Sequence, residues 1–174
     1  MAFIKGGTAL TDNEKLAELL FPGIILTPQQ YEEQYPARQL PEGARVTRFS
    51  PSPTGYLHIG GLFAAMTARL TAKVTNGVFF LRIEDTDKKR EVEGGVTAIV
   101  NGLDAFGITP DEGITGVDTE SGAYGPYQQS KRREIYQCFA KELVRQGLAY
   151  PCFCTEEELN ALREQQEAKA VNKG

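Results

Sequence analysis

Hydrophobic positions recur at helical spacing in two stretches near the middle of the chain. The first is formed by Leu62, Met66, Leu70 and Val74, and the second by Val96, Ile99, Val100, Leu103 and Phe106. Intervals of three and four residues place apolar side chains on one face of a helix. The sequence therefore predicts one helix from about residue 59 to Asn76-Gly77, and another that ends at Gly107.

Two short apolar runs have the length of buried strands. Residues 46–49 precede the first predicted helix, and residues 78–83 follow it. A strand, a helix and a second strand in succession form a βαβ unit, in which the strands are parallel. The alternation predicts an α/β fold with a parallel sheet and helices packed on it.

The segment before the first strand carries two helix-start signals. Thr11-Asp-Asn-Glu14 and Thr27-Pro-Gln-Gln30 both have the spacing of a capping box. We predict a helix that stops at Pro22-Gly23, a second that runs to about Tyr35, and a linker over residues 38–44. We expect this extension to pack against the surface of the domain that follows.

Signals in the second half of the chain are less regular. Residues 108–127 are rich in Gly, Asp and Thr with little periodicity, which predicts a long loop. Ser130 is the predicted N-cap of a following helix that ends at Gly147. Thr155-Glu-Glu-Glu158 has capping-box spacing and predicts a last, polar helix.

Composition and charge restrict the class of protein. Of 174 residues 41% are hydrophobic, which is ordinary for a globular domain. Apolar runs are short and the N-terminus lacks the apolar core of a signal peptide, so we expect no membrane span and a cytoplasmic location. The net charge of −4 does not by itself indicate a nucleic acid partner. The adjacent cations Lys131, Arg132 and Arg133 have two interpretations, a solvated helix start or a contact to RNA.

The run from Arg48 to Gly61 has the pattern of a phosphate site. It joins the end of the first strand, a turn stiffened by Pro51 and Pro53, and the chain's only histidine at a glycine-rich helix start. The N–H groups and the dipole at a helix start favour an anion. His58 could donate a hydrogen bond to phosphate oxygens there, and a helix cap is the competing interpretation.

Four ordered motifs of the chain resemble those of class I aminoacyl-tRNA synthetases, in the form found in bacterial glutamyl-tRNA synthetases. They are the run 48–61 with its His-Ile-Gly-Gly core, Leu-Arg-Ile-Glu-Asp-Thr-Asp at 81–87, Gly-Pro-Tyr-Gln-Gln-Ser-Lys-Arg at 125–132, and Ala-Tyr-Pro-Cys-Phe-Cys-Thr at 149–155. Four motifs in order are far more specific than any one of them. The resemblance implies the first half of a Rossmann-like, doubly wound parallel sheet, here preceded by a helical N-terminal extension.

The resemblance also implies the ligands and the residues that bind them. His58 is the implied catalytic residue, which would stabilise charge at the α-phosphorus of ATP. The residues implied in ATP binding are Pro51, Ser52, Pro53, Thr54, Gly55, Tyr56, Leu57, His58, Ile59, Gly60 and Gly61. Those implied in glutamate binding are Arg48, Ser50, Ser52 and Glu84, with Arg48 on the side-chain carboxylate and Glu84 on the ammonium group. The implied partners are ATP with Mg²⁺, L-glutamate and tRNA-Glu.

Structural interpretations of the charged residues stand beside these roles. A guanidinium at a strand end needs a carboxylate, so Arg48 could instead form a salt bridge with Asp85 or Asp87. The residues 84–87 could equally be a turn that ends the strand, with Mg²⁺ ligation a further interpretation.

The three cysteines are an odd number and argue against a disulfide framework. Cys152 and Cys154 alternate by two, so in an extended segment both thiols point to one side and supply half of a zinc site. Two further ligands are missing. Ordinary buried cysteines are therefore the default interpretation, which includes Cys138.

The resemblance predicts three divisions of the chain. They are a helical extension over 1–44, the first half of the catalytic domain over 45–110, and the start of an inserted acceptor-binding (connective) region over 111–174. No Lys-Met-Ser-Lys-Ser type loop occurs, so we expect an N-terminal fragment of a longer enzyme, inactive alone.

The predicted function of that longer enzyme is glutamate–tRNA ligation. Two alternatives stay open: a short paralogue that glutamylates a modified base of tRNA-Asp, and a non-catalytic module that binds nucleotides or proteins.

Overall fold

The computed structural model describes residues 10–171. Residues 1–9 and 172–174, which belong to the first and last predicted divisions, lie outside the described residues. The elements in chain order are α1 (Asp12–Leu20), α2 (Pro28–Gln34), β1 (Val46–Phe49), α3 (Ile59–Val74), β2 (Val78–Leu81), α4 (Gly95–Ala105), β3 (Glu112–Gly116), β4 (Thr119–Ser121), a 3-10 helix (Gln129–Arg132), α5 (Arg133–Arg145) and α6 (Glu156–Val171).

The strands form one four-stranded sheet in the order β1-β2-β3-β4. The strand β1 pairs with β2 in parallel, from Val46 opposite Val78 to Phe49 opposite Leu81. The strand β2 pairs in parallel with β3, and β3 pairs antiparallel with β4. The predicted α/β class with a parallel βαβ unit is confirmed.

The helix α3 packs on the sheet through its small side chains. Ala65 and Ala72 are fully buried, whereas Met66, Leu70 and Val74 are 37%, 49% and 76% exposed. Small residues let the helix axis approach the strands closely, and the hydroxyl of Thr47 in β1 donates to the carbonyl of Ala68 at 2.8 Å. Of the larger apolar residues that predicted this helix, only Leu62 packs against the core.

The predicted long loop over 108–127 is wrong, because β3 and β4 lie within it. The strand β3 contains Gly113, whose φ of +123° is accessible to glycine and rarely to other residues. Its place in the sheet depends on pairing with Phe80 and Leu81, which are distant in sequence. The strand β2 also ends two residues earlier than predicted, and Ile83 instead forms an isolated parallel bridge with Gln128.

The two N-terminal helices begin at complete capping boxes, as predicted. The hydroxyls of Thr11 and Thr27 accept from the N–H groups of Glu14 and Gln30. The side chains of Glu14 and Gln30 in turn accept from the N–H groups of the two threonines. Thr155 and Glu158 form the same pair at the start of α6.

The N-terminal extension packs against α5. Lys141 of α5 donates to Glu18 at 2.9 Å and to the carbonyl of Ile24 at 3.0 Å, and the ring of Tyr31 lies 6.5 Å from that of Phe139.

Arg38 ties the linker to the sheet. Its guanidinium makes two hydrogen bonds to Glu112 of β3, at 2.5 and 2.6 Å, and stacks 3.7 Å above the ring of Tyr124. The hydrogen bond from Arg38 lowers the pKa of Glu112 against the opposing effect of burial. The described part of the extension is therefore held by α5 and, through Arg38, by β3.

The hydrophobic core lies between the sheet and the helices α3 and α4. Its fully buried members include Ala65, Ala72, Phe79, Leu81, Ile83, Ile99, Leu103, Ile108 and Tyr127. Within residues 10–171, no helix has both the length and the apolar character that a membrane crossing requires.

Candidate functional site

The carboxyl ends of β1 and β2 lie side by side, which brings two predicted motifs together. The N–H of Arg82 donates to the carbonyl of Phe49, and the N–H of Glu84 donates to that of Pro51, both at 3.0 Å. Parallel sheets bind ligands outside the carboxyl ends of their strands. The register of two strands thus places residues 50–52 beside residues 82–84.

His58 is the N-cap of α3. Its backbone is extended, and its Nδ1 accepts a hydrogen bond from the N–H of Gly60 at 3.1 Å. Because Nδ1 is the acceptor, the proton of the neutral imidazole lies on Nε2, which is left to donate. The side chain therefore caps the helix with one nitrogen, which confirms the cap, and offers a donor with the other, so its hydrogen bond to phosphate stays a prediction.

A cavity of about 360 Å³ opens between this helix start and the turn before it. Its lining is formed by Phe49, Pro51, Ser52, Thr54, Gly55, Tyr56, Leu57, His58, Gly61 and Ile99. Most of the residues predicted to bind ATP therefore share one cavity. Pro53, Ile59 and Gly60 do not line it, and neither do Arg48, Ser50 and Glu84.

Pro53 has a supporting position. It is fully buried, and its carbonyl accepts from the N–H of Val92 at 2.9 Å. A Cβ at Gly95 would lie 2.8 Å from that carbonyl oxygen, so only glycine fits where α4 begins. The turn of the cavity is therefore fixed against the segment that leads into α4 as well as against the segment that follows β2.

Three charged side chains lie together beside this turn. Arg82 binds Glu84 through Nε at 3.0 Å and Nη2 at 2.9 Å, and Arg48 Nη1 lies 4.0 Å from the same carboxylate oxygen. Two cations and one anion give the group a net charge of +1. A ligand that carries both negative and positive charges, with a net charge of −1, matches this group electrostatically.

The structural interpretation of Arg48 as a partner of Asp85 or Asp87 is wrong. Asp87 pairs with Arg90 at 2.6 Å, and Asp85 accepts hydrogen bonds from Lys88, Gln128 and Ser130. The ion pair of Arg48 is with Glu84, and at 42% side-chain exposure the guanidinium remains accessible to a ligand.

The prediction that Ser130 caps a helix is also wrong. Its hydroxyl donates to Oδ2 of Asp85 at 2.5 Å, and its N–H donates to Oδ1 at 2.8 Å. Burial raises the pKa of Asp85, but the hydrogen bonds from Ser130, Gln128 and Lys88 outweigh it and lower the pKa to about 2. The carboxylate is therefore charged in spite of its complete burial.

Among residues 10–171, no group of three or more His, Cys, Asp or Glu side chains is arranged to hold a metal ion. Cys138 is buried as expected, but Cys152 and Cys154 are exposed, so the default interpretation was wrong for that pair. Hydrogen bonds from the N–H and thiol of Cys154 lower the pKa of Cys152. A zinc half-site formed by this pair stays a prediction.

The cluster of three cations begins in the 3-10 helix. Lys131 pairs with Asp118 at 3.0 Å, and Arg132 donates to the carbonyl of Pro126 at 2.8 Å. Two of the three side chains thus have local partners, which favours the structural interpretation for them. A contact to RNA stays a prediction.

Sequence reasoning gave no role to Arg82, and it considered Asp85 as a partner of Arg48 or as part of a turn. A signal for Arg82 was present, because residues 82 and 84 of an extended segment share one side. Asp85 depends on Gln128 and Ser130, which lie more than forty positions later in the chain. No local pattern links them, although all belong to the quoted motifs.

Comparison with known proteins gives a family match over most of the chain. The family model described as tRNA synthetases class I (E and Q), catalytic domain, matches residues 45–173. The protein named Glutamate--tRNA ligase from Clostridium perfringens (strain 13) is 55% identical over 161 residues, which are 92% of this chain and 30% of that protein. The protein of the same name from Acetivibrio thermocellus is 54% identical over 164 residues, 94% of this chain and 30% of that protein.

A solved structure shows the same fold. The glutamate-tRNA synthetase of Elizabethkingia anophelis superposes with a TM-score of 0.62 at 44% identity, over 74% of this chain and 25% of that one. The chain spans less than a third of the length of the curated relatives it matches. The residues that the family model matches, 45–173, include those around the cavity and the charged group.

Proposed function

Because the chain belongs to the family of class I tRNA synthetases (E and Q), over their catalytic domain, we propose that the protein carrying it is a glutamate–tRNA ligase. It activates L-glutamate with ATP and transfers it to the 3′ end of tRNA-Glu. The observation that carries the proposal is the parallel register of β1 and β2, which brings the turn that leads to His58 beside residues 82–84 and their charged group.

ATP binds at the turn and the start of α3. Activation is an in-line attack of the amino-acid carboxylate on the α-phosphorus, with pyrophosphate leaving, and needs stabilisation of charge at phosphorus. Nε2 of His58 supplies a hydrogen bond to those oxygens, and Gly60 and Gly61 let the nucleotide approach the helix backbone. Mg²⁺ enters with the phosphates of ATP, which is the usual mode of binding for this ion.

Glutamate binds at the charged group. Arg48 takes the side-chain carboxylate, Ser50 and Ser52 offer hydroxyls, and Glu84 receives the ammonium group. The pairing of Glu84 with Arg82 holds its carboxylate in one place. Glutamate carries one net negative charge, so it matches the net +1 of the two arginines and Glu84.

The three predicted divisions follow from this assignment. Residues 1–44 are an extension, 45–110 are the first half of the nucleotide-binding fold, and 111–174 begin the region that binds the tRNA acceptor end. Arg133 and its two basic neighbours belong to that last division.

Charging of tRNA tests the proposal. The full-length protein that carries this sequence is incubated with ATP, labelled glutamate and an unmodified transcript of tRNA-Glu, tRNA-Gln or tRNA-Asp, or with native tRNA-Asp. Label on the 3′ end of tRNA-Glu, with labelled glutamine not incorporated, is the expected result. Label that requires the modified base of native tRNA-Asp would support the paralogue instead, and no label on any tRNA would support a binding module.

A further inference from the structure

Asp85 is the one fully buried charged residue of the described chain that the proposed reaction does not use. Its side chain has no exposed surface. Oδ1 accepts from the N–H of Ser130 at 2.8 Å. Oδ2 accepts from the hydroxyl of Ser130 at 2.5 Å, from Gln128 Nε2 at 2.9 Å and from Lys88 Nζ at 3.2 Å. A buried charge persists only when it is satisfied in this way, and removal of the partners leaves a costly group.

These bonds join two segments that are remote in the chain. The backbone adds two more links between them, since the N–H of Ile83 donates to the carbonyl of Tyr127 at 3.0 Å and the N–H of Gln129 donates to that of Ile83 at 2.9 Å. The segment after β2 is therefore fixed along one side by residues 127–130.

Glu84 lies within this fixed segment. We refer to the hydrogen bonds of Asp85 with Gln128 and Ser130 as the clamp. The N–H of Glu84 donates to the carbonyl of Pro51 at 3.0 Å, so Glu84 lies between the turn of the cavity and the clamp. Arg82, one residue before Ile83, binds the Glu84 carboxylate. Both members of that ion pair thus take their positions from a backbone that Asp85 anchors.

We propose that Asp85 is a positioning residue for the amino-acid substrate, acting through its clamp on Gln128 and Ser130 to fix Glu84. It does not touch the substrate, because its oxygens are buried and already engaged. This inference rests on the proposed function, in which Glu84 receives the ammonium group. A displacement of the order of 1 Å in a binding group reduces rates by about a hundredfold, so a small shift of Glu84 is sufficient to be measured.

The variant Asp85→Asn keeps the shape of the side chain and changes its chemistry. The Asn amide presents a donor where the carboxylate oxygens accept from several donors, so the clamp loses bonds without a cavity. The variant Ser130→Ala is milder, because it removes one hydroxyl donor and leaves the N–H bond to Oδ1. The matched control is Asp118→Asn, the same substitution in an exposed pair with Lys131. Asp118 has a φ of +55°, a conformation that Asn tolerates well.

The experiment measures ATP–pyrophosphate exchange by the full-length protein in the presence of tRNA, with KM determined separately for glutamate and ATP. Thermal unfolding of each variant is measured alongside. For Asp85→Asn we expect KM for glutamate to rise by about tenfold or more while KM for ATP changes by less than about threefold. Ser130→Ala should show a smaller change of the same kind, and Asp118→Asn none.

A purely structural role gives a different result, namely fewer active molecules with both KM values unchanged. That result, or a folded Asp85→Asn protein with wild-type KM for glutamate, would overturn the inference. If Asp85→Asn does not fold, the inference is tested with Ser130→Ala, because an unchanged KM for glutamate in that folded variant would contradict it. A wild-type protein that shows no exchange refutes the proposed function, and the inference with it.

Discussion

His58 has one role in the structure and a second in the proposed reaction, and substitution can separate the two. Nδ1 caps α3 through one hydrogen bond of 3.1 Å, and Nε2 is the donor that the proposed reaction uses. The residue is exposed, so its replacement leaves no cavity in the core. Serine is a good N-cap but too short to replace the Nε2 donor, whereas alanine supplies neither function.

The magnitudes of the two losses differ enough to be resolved. Loss of an N-cap costs about 1 kcal/mol of folding free energy. Loss of one donor to developing charge in a transition state lowers kcat by about a hundredfold to a thousandfold. We therefore expect His58→Ser and His58→Ala to lose activity to the same extent, and only His58→Ala to lose stability by about 1 kcal/mol.

The assay is ATP–pyrophosphate exchange at saturating substrates, together with denaturant unfolding, on the full-length protein. The reasoning would be refuted by a His58→Ser variant that keeps more than about a tenth of the wild-type kcat, since the donor would then not act on the transition state. Equal stabilities of the two variants would refute the capping role.

Three further predictions concern the neighbourhood of the site. A Cβ at Gly60 would lie 3.0 Å from Cε1 and 3.1 Å from Nδ1 of His58, so Gly60→Ala should displace the imidazole. We expect kcat to fall by about tenfold with little change in Tm, and an unchanged kcat would contradict this reasoning. Arg38→Ala removes the guanidinium that binds Glu112, and it should lower the free energy of unfolding in urea by about 2 kcal/mol. A decrease below about 0.5 kcal/mol would contradict a stabilising role of this pair. Burial raises the pKa of Asp85, but its hydrogen bonds outweigh burial and lower the pKa from 3.8 to about 2. The charged carboxylate therefore stabilises the fold by about 2 kcal/mol above pH 3.8, and this stabilisation is lost as the pH falls toward 2. The stability difference between wild type and Asp85→Asn should therefore shrink on acidification, and a difference independent of pH would contradict the assignment.

Elements with local signals were predictable from the sequence. The capping boxes of Thr11, Thr27 and Thr155 each specify a helix start through contacts within four residues, and all three occur in the structure. The helix after His58 and the parallel pairing of its flanking strands follow from periodicity and from the handedness of βαβ units.

Features that depend on remote partners were not predictable. The strand β3 has little hydrophobic pattern and exists through its pairing with β2, which comes about thirty residues earlier. Ser130 carries a helix-cap signal, but Asp85 takes its hydroxyl and its N–H instead. In both places, hydrogen bonds to residues that are remote in sequence override the local structural propensity.

The candidate site divides along the same line. The turn and helix start at 50–61 are contiguous in sequence, and most of their residues line one cavity as the motif indicates. The pairing of Arg82 with Glu84 also has a local signal, because residues 82 and 84 share one side of an extended segment. The hydrogen bonds of Asp85 to Gln128 and Ser130 have none, because they need the segment 127–130.

The first measurement to make is ATP–pyrophosphate exchange by the full-length protein, with glutamate or glutamine as the amino acid, with and without tRNA-Glu. Exchange that requires glutamate and falls by about a hundredfold or more in His58→Ala is the predicted result. Absence of glutamate-dependent exchange under every condition, from protein that is folded, would contradict the proposed activity and leave a nucleotide- or protein-binding module as the better description.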